Sequence, residues 1–289
     1  MNFSIRYLTE YRYDEPVTDN LNSLRVRPAT TSTQRLDEFS IRVDPEARMS
    51  RYVDYFGTEV IEFGIAKPHD HLTIDVRARV VTSEQDEIPQ VGWDALEDPK
   101  YRQAAGEFLL SAGDEPEDPH ALDELVAAID APTPRESLEK LVEHIPDRFK
   151  YDTETTYVGS TVEDLLAAGG GVCQDFVHLG LMLLRRRGIA ARYVSGYLWA
   201  APQDGGQDSL EVDTHAWLEA LLPGEREPAW IGADPTNRRL ADESHVKIGH
   251  GRLYFDVPPI KGVYAGSAGA HLEANVTMSR LDPAVSARP

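Results

Sequence analysis

Between Phe39 and Val80, apolar and polar positions alternate with a period of two through Phe39-Ser40-Ile41-Arg42-Val43, Val60-Ile61-Glu62-Phe63-Gly64-Ile65 and Leu72-Thr73-Ile74-Asp75-Val76-Arg77-Ala78-Arg79-Val80. Successive side chains on a strand point to opposite faces, so this pattern predicts half-buried strands, with turns at Asp44-Pro45, Phe56-Gly57 and Lys67-Pro68. Residues 1–95 are expected to form an all-β, sandwich-like domain. His69-Asp70-His71 holds three ligand-type residues in a row. Neighbours on a strand face opposite ways and converge poorly on one ion, so this segment reads as a turn rather than a metal site.

From Trp93 the pattern becomes helical and acidic, with Gly113-Asp114-Glu115-Pro116-Glu117-Asp118-Pro119 as an exposed break. The boundary is placed in the 90s, giving a second domain at 96–289 that is helical to about 190 and then antiparallel strands. Thr133-Pro134-Arg135-Glu136 is a capping box with proline at the first helical position. It opens a helix through Leu138, Leu141, Val142 and Ile145 that Pro146 is expected to end. Phe149-Lys150-Tyr151 reads as a short extended piece, and Thr161-Val162-Glu163-Asp164 caps a short helix running into Gly169-Gly170-Gly171. The next helix, from Cys173 to a basic last turn at Arg185-Arg186-Arg187 and a glycine stop at Gly188, is apolar nearly all round. It should therefore be buried. Strands are predicted at 191–199, 214–221 and 229–234, with a polar loop at Gln203-Asp204-Gly205-Gly206-Gln207-Asp208, and further strand at 253–257 and 274–278. The whole is an α+β protein.

A formal charge of -20, with acids and bases spread along the chain, argues against a nucleic-acid partner or an anionic membrane surface. One cysteine excludes an intrachain disulfide and a multi-thiolate zinc site. The opening residues lack an apolar signal core and no 18-residue apolar run occurs, so a reducing cytoplasm is the expected setting.

That single cysteine stands where a glycine run meets a helix start, where unpaired N–H groups and the dipole favour a thiolate. His215 lies on one predicted strand and Asp234 at the end of the next. Adjacent antiparallel strands can bring imidazole and carboxylate together and present both to Cys173. An imidazole takes the thiol proton, a carboxylate fixes its tautomer, and N–H groups around Cys173 begin an oxyanion hole. Taken singly, each residue also has a structural reading: Cys173 as a small core residue, His215 as a hydrogen-bonded strand histidine, Asp234 as a turn former. Their combination favours a catalytic set. Around it, Gln174 and Asp175 are candidates for supporting the site, Asp175 as a brace, and Trp217 as a cleft wall or core residue. Tyr151 is a candidate oxyanion donor, with a buried structural role as the stronger reading. His178 reads as a packed core histidine.

Gly171-Val172-Cys173-Gln174-Asp175-Phe176-Val177-His178-Leu179, Tyr193-Val194-Ser195-Gly196-Tyr197, Thr214-His215-Ala216-Trp217 and Asp234-Pro235-Thr236-Asn237 together resemble the bacterial transglutaminase-like superfamily, often described as cysteine proteases. Leu24-Arg25-Val26-Arg27-Pro28 and Asp54-Tyr55-Phe56-Gly57 resemble that family's N-terminal β domain. Thr58, where relatives usually have asparagine, and Leu253, where a Gly-Arg-Asp-Tyr pattern is usual, depart from it. The resemblance implies a papain-like core with a cysteine-bearing helix on an antiparallel sheet, Cys173 as nucleophile, His215 as base and Asp234 as orienting carboxylate. The chemistry expected is acyl transfer through a thioester on a peptide, protein or small amide, with no cofactor. Hydrolysis is favoured, since water is always present; a transglutaminase using an amine acceptor is the alternative. A catalytically silent peptide-binding module is the reading of another class.

Overall fold

The computed structural model describes residues 1–85, 90–111, 115–157, 159–199, 209–212 and 214–281. The polar loop at 203–208 and part of the acidic break at 113–119 lie outside the described residues. The chain begins with strands β1 (Asn2–Leu24), β2 (Gln34–Asp44), β3 (Met49–Val53), β4 (Glu59–Ile65) and β5 (His69–Thr82). Helices α1 (Pro99–Ala105), α2 (Asp123–Ala128) and α3 (Pro134–Arg148) follow, then β6 (Lys150–Tyr151), α4 (Val162–Ala168), β7 (Gly170–Gly171) and α5 (Cys173–Arg186). The remainder is β8 (Ala191–Leu198), β9 (Ser209–Val212), β10 (Thr214–Leu222), β11 (Ala229–Asp234), β12 (Arg239–Leu240), β13 (His245–Gly251), β14 (Ile260–Ala265) and β15 (Ala270–Arg280). Among the described residues no helix is long and apolar enough to cross a membrane.

Strand β1 serves twice. Its first half pairs with β5 and β15, and its second half, beyond a register shift after Arg12, pairs with β4 and β14. The eight-stranded sheet thereby curls on itself, and Phe3, Ile5 and Tyr7 share a core with Leu24, Ile61 and Phe63. The sandwich-like expectation holds for this curled sheet, but its membership differs from the sequence reading. Residues 209–212, 260–265 and 270–280, assigned to the second domain by order, complete the first sheet. Both halves of β1 would otherwise carry an unpaired edge, and chain proximity does not decide which strand satisfies it. His69 is buried against Asn20 (3.1 Å) and the Lys67 carbonyl (2.8 Å), while Asp70 and His71 are exposed.

A second sheet runs in the order β12-β11-β10-β8-β13, antiparallel throughout. Helix α5 is buried from Gln174 to Arg185, as its all-round apolar pattern requires, and packs on β10 so closely that a Cβ at Gly180 would meet Leu218 at 2.6 Å. Two local expectations are corrected. Helix α3 does not stop at Pro146 but runs to Arg148, with the Phe149 N–H closing on the Ile145 carbonyl at 2.9 Å. Proline removes one donor, and the buried face of Leu138, Leu141, Val142 and Ile145 holds the helix in register for a further turn. Residues 254–256 form a 3₁₀ turn rather than a strand, because the Asp256 carboxylate takes the Arg252 N–H (2.9 Å) and curls the segment locally.

The two sheets are joined by polar groups acting as strand partners. Gln34 Nε2 donates to the carbonyls of Ala29 and Lys247, both at 2.7 Å, and Gln34 Oε1 accepts the Lys247 N–H at 2.8 Å. Phe3 meets Trp199 at 5.8 Å and Tyr7 meets Tyr197 at 6.2 Å across the same seam. Gly196, at the centre of β8, has no room for a side chain: a Cβ there would lie 2.2 Å from the Val246 carbonyl oxygen and 2.4 Å from the Trp217 ring. Gly196→Ala is therefore expected to destabilise the protein by about 1–3 kcal/mol, read as a lower urea midpoint in equilibrium unfolding, whereas an unchanged midpoint would contradict this packing.

Candidate active site

The site is assembled on a glycine turn. Gly169 ends α4 in the left-handed region (φ 70°), and β7 pairs in parallel with β6, setting Tyr151 opposite Gly171. A Cβ at Gly171 would fall 2.6 Å from Asp175 Oδ2, so only glycine admits that carboxylate. Asp175 Oδ2 accepts the Val172 N–H at 2.8 Å and the Thr156 hydroxyl at 2.7 Å, while the Asp175 N–H returns to the Val172 carbonyl at 3.0 Å. Asp175 is thus the brace of the turn that delivers Cys173 as the first residue of α5. The N–H groups of Cys173 and Gln174 lie in the first helical turn, where the ladder supplies no acceptor.

Strand pairing brings the other two side chains in. Leu218 of β10 pairs with Ala233 of β11, which sets His215 and Asp234 at the same end of the two strands. His215 Nε2 lies 2.8 Å from Asp234 Oδ2, and Cys173 is near enough to act on the imidazole's proton affinity. With Nε2 committed to the carboxylate, Nδ1 is the nitrogen left for sulfur. Burial works against a charged imidazole, but the hydrogen bonds and charges of Asp234 and Cys173 outweigh it and raise His215 to about 9. Burial likewise would raise Asp234, yet the hydrogen bonds from His215, His245 and Asn237 hold it well below the usual carboxylate range. Cys173 is partly buried, and Asp234 is wholly removed from solvent.

Of the supporting residues, Trp217 is core: it is buried, with its ring nearly parallel to His215 (centroids 6.2 Å, 26°). Gln174 is buried in the first turn of α5. Tyr151 is not the buried tyrosine expected; it is 51% exposed and rests edge-on against Phe176 at 6.3 Å. It sits on a two-residue strand at the surface, which burial patterns in sequence do not reveal. His178 is packed against Tyr193 (5.4 Å), and its Nε2 accepts the Tyr254 N–H at 3.3 Å. Burial, with Arg185 nearby, lowers it to about 4.

Sequence reasoning missed His245. Its Nε2 lies 3.1 Å from Asp234 Oδ2, and its Nδ1 accepts the Asp242 N–H at 3.1 Å, so it is the second imidazole on one carboxylate. Asn237 Nδ2 adds a bond to Oδ2 at 2.8 Å, and the N–H groups of Thr236 and Asn237 close on Oδ1 at 3.0 and 3.1 Å. Asp234 is therefore a turn former and the partner of His215 at once. Only the position of Asn237 three residues after Asp234 was available as a signal; His245 has no local one.

A cysteine heading a buried helix, laid on an antiparallel sheet that carries a paired histidine and aspartate, is the architecture of transglutaminase-like proteins. The chain belongs to the transglutaminase-like superfamily: the model of its core matches residues 121–235, and that of the bacterial transglutaminase-like N-terminal region matches residues 3–81. An uncharacterized protein of Mycobacterium leprae (strain TN) is 32% identical over 279 residues, covering 94% of this chain and 96% of its own. Another, from Mycobacterium tuberculosis (strain H37Rv), is 32% identical over 293 residues, covering 95% and 91%. The crystal structure of a "putative cysteine protease" from Cytophaga hutchinsonii has the same fold, with a TM-score of 0.72 at 22% identity over 98% of this chain and 92% of that one.

Because His178 takes a proton less readily folded than unfolded, the stability it contributes is present above its ordinary value of 6.5 and is lost as pH falls through about 4. His178→Gln, which keeps an acceptor for Tyr254, is expected to shrink the loss of unfolding free energy between neutral and acid pH. The reduction is at most about 3 kcal/mol. Identical acid limbs for the two proteins in urea titrations would count against it.

Proposed function

We propose that the protein is a thiol-dependent acyl-transfer enzyme that cleaves amide bonds of peptides or proteins, with Cys173 as nucleophile, His215 as proton carrier and Asp234 as the carboxylate that orients it. The observation that supports this reading is that His215 is bonded to Asp234 at 2.8 Å and neighbours Cys173, which together raise its affinity for a proton to about 9. An imidazole of that proton affinity favours taking the thiol proton as the sulfur attacks.

The steps follow from these positions. The sulfur attacks the carbonyl carbon, and the electron pair moves to oxygen, which the N–H groups at the head of α5 are suited to receive. The C–N bond breaks, His215 gives its proton to the departing amine, and a thioester remains on Cys173. Water then enters; His215 takes one of its protons, the C–S bond breaks, and the thiolate and imidazolium are restored with release of a carboxylic acid. Asp234 keeps its charge throughout and holds Nε2–H, so the ring cannot turn to the wrong tautomer. Polypeptide is favoured over a small amide because Cys173 is only partly buried, and because Tyr151 and Tyr157, on segments bonded to the cysteine turn, expose aromatic rings. Asp175, Gln174 and Trp217 serve by holding geometry.

Alkylation of Cys173 by iodoacetamide is expected to proceed readily at neutral pH, and in His215→Ala to become slow there and rise only toward the free-thiol value of about 8.5. A wild-type profile that follows a free thiol would remove the proposal. With a quenched peptide library and a labelled primary amine present together, the expected product is free acid, absent in Cys173→Ala; accumulation of the amine adduct would instead identify a transglutaminase.

A further inference from the structure

Where the loop entering β2 and the end of β5 meet β8, β10, β11 and β13, the two sheets enclose a cavity of about 290 Å³. Its wall includes Arg192, Glu219 and Lys247. Glu219 accepts from Lys247 Nζ with both oxygens, at 2.8 and 2.6 Å, and from Arg192 Nε at 2.6 Å. These side chains are only 11–13% exposed. One carboxylate therefore faces two cations. Asp242, also on the wall, does not offset the excess: its Oδ2 is paired with Arg239 at 2.9 Å and its Oδ1 accepts from Ser244. His250 does not either, since burial, together with Lys247 and Arg192, lowers it to about 3 and leaves it neutral, with Nε2 3.1 Å from Arg192 Nη1. Burial outweighs Glu219 at Lys247 and lowers that amine to about 8. The Arg192 guanidinium carbon lies over the Trp230 ring, 3.9 Å from its centroid, and Nη2 has no hydrogen-bond partner among the described residues.

A buried positive charge without its counter-ion is unfavourable, and a bound anion removes that penalty. The opposite wall, from the loops entering β2 and leaving β5, is lined by the hydroxyl residues Ser32, Thr33 and Ser83 and by Gln85, whose Nε2 donates to the Trp230 carbonyl at 3.1 Å. We propose that this cavity is a binding site for a small hydroxylated carboxylate, its acid group on Arg192 and Lys247 and its hydroxyls on the first sheet. The volume, at the small end for ligand sites, limits the occupant to a short chain. The site does not involve Cys173, and it gives the N-terminal sheet a role beyond support.

The test is calorimetric titration of the full chain with glycerate and with gluconate, and with sorbitol as the uncharged control. A saturable heat is expected with at least one acid and none with sorbitol. Lys247→Met should weaken binding by about tenfold or more. Ser32→Trp, a change at an exposed rim position, should abolish it without altering the melting transition, and it keeps the test decisive if Lys247→Met does not fold. Sorbitol binding as tightly as the acids, undiminished binding in Ser32→Trp, or no heat from either acid at about 10 mM would overturn the proposal.

Discussion

A carboxylate cannot remain ionised out of water unless fixed donors replace its hydration, and that condition governs the arrangement around Asp234. Its two oxygens are met by His215, His245 and the Asn237 side chain, and by the N–H groups of Thr236 and Asn237. The donors come from β10, from the head of β13 and from the turn after β11, so three separate stretches must arrive together for the charge to be stable. Displacing any one leaves a buried polar atom unpaired, which penalises competing registers of the strands. His215 is held in place as a consequence, with one ring nitrogen fixed on the carboxylate.

The parts of this site that were legible in sequence are those encoded locally. The glycine run, the helix start, the alternation through β10 and the turn residues after Asp234 each announce themselves within ten residues, and their strand spacing suffices to bring Cys173, His215 and Asp234 to one place. His245 was not legible because its role depends on where β13 begins relative to β11, a matter of sheet order. The same holds for β14 and β15, which look like any alternating strands and whose assignment to the first sheet is settled by the unpaired sides of β1. Tyr151 was misjudged for a related reason: a tyrosine in a two-residue strand has no periodic pattern from which burial can be inferred. At Pro146 and at 254–256, local signals pointed one way and tertiary packing or a nearby carboxylate pointed another.

The first sheet is bound to the second by more than apolar contact. Gln34 uses its amide as a peptide group would, giving the Lys247 N–H and carbonyl the partners that a neighbouring strand would supply. The Thr82 hydroxyl donates to the Glu243 carbonyl at 2.6 Å in the same seam. These bonds fix β13 at its outer side, and β13 is the strand that begins with His245. The geometry at Asp234 therefore depends on the seating of the N-terminal sheet, although no residue of that sheet touches the carboxylate among the bonds described.

On β10 the residues His215, Trp217 and Glu219 are spaced by two and share one face. His215 belongs to the sulfur and its carboxylate, Glu219 to the cationic cavity, and Trp217 lies between them with its ring near-parallel to one imidazole and 5.2 Å from the other, at His245. The electrostatics of the two ends are opposite. At one end a negative group gathers donors and raises the proton affinity of His215; at the other a pair of cations exceeds its single carboxylate. The fully buried indole separates them, and Gly196, which leaves room for that ring against β8, makes the separation possible.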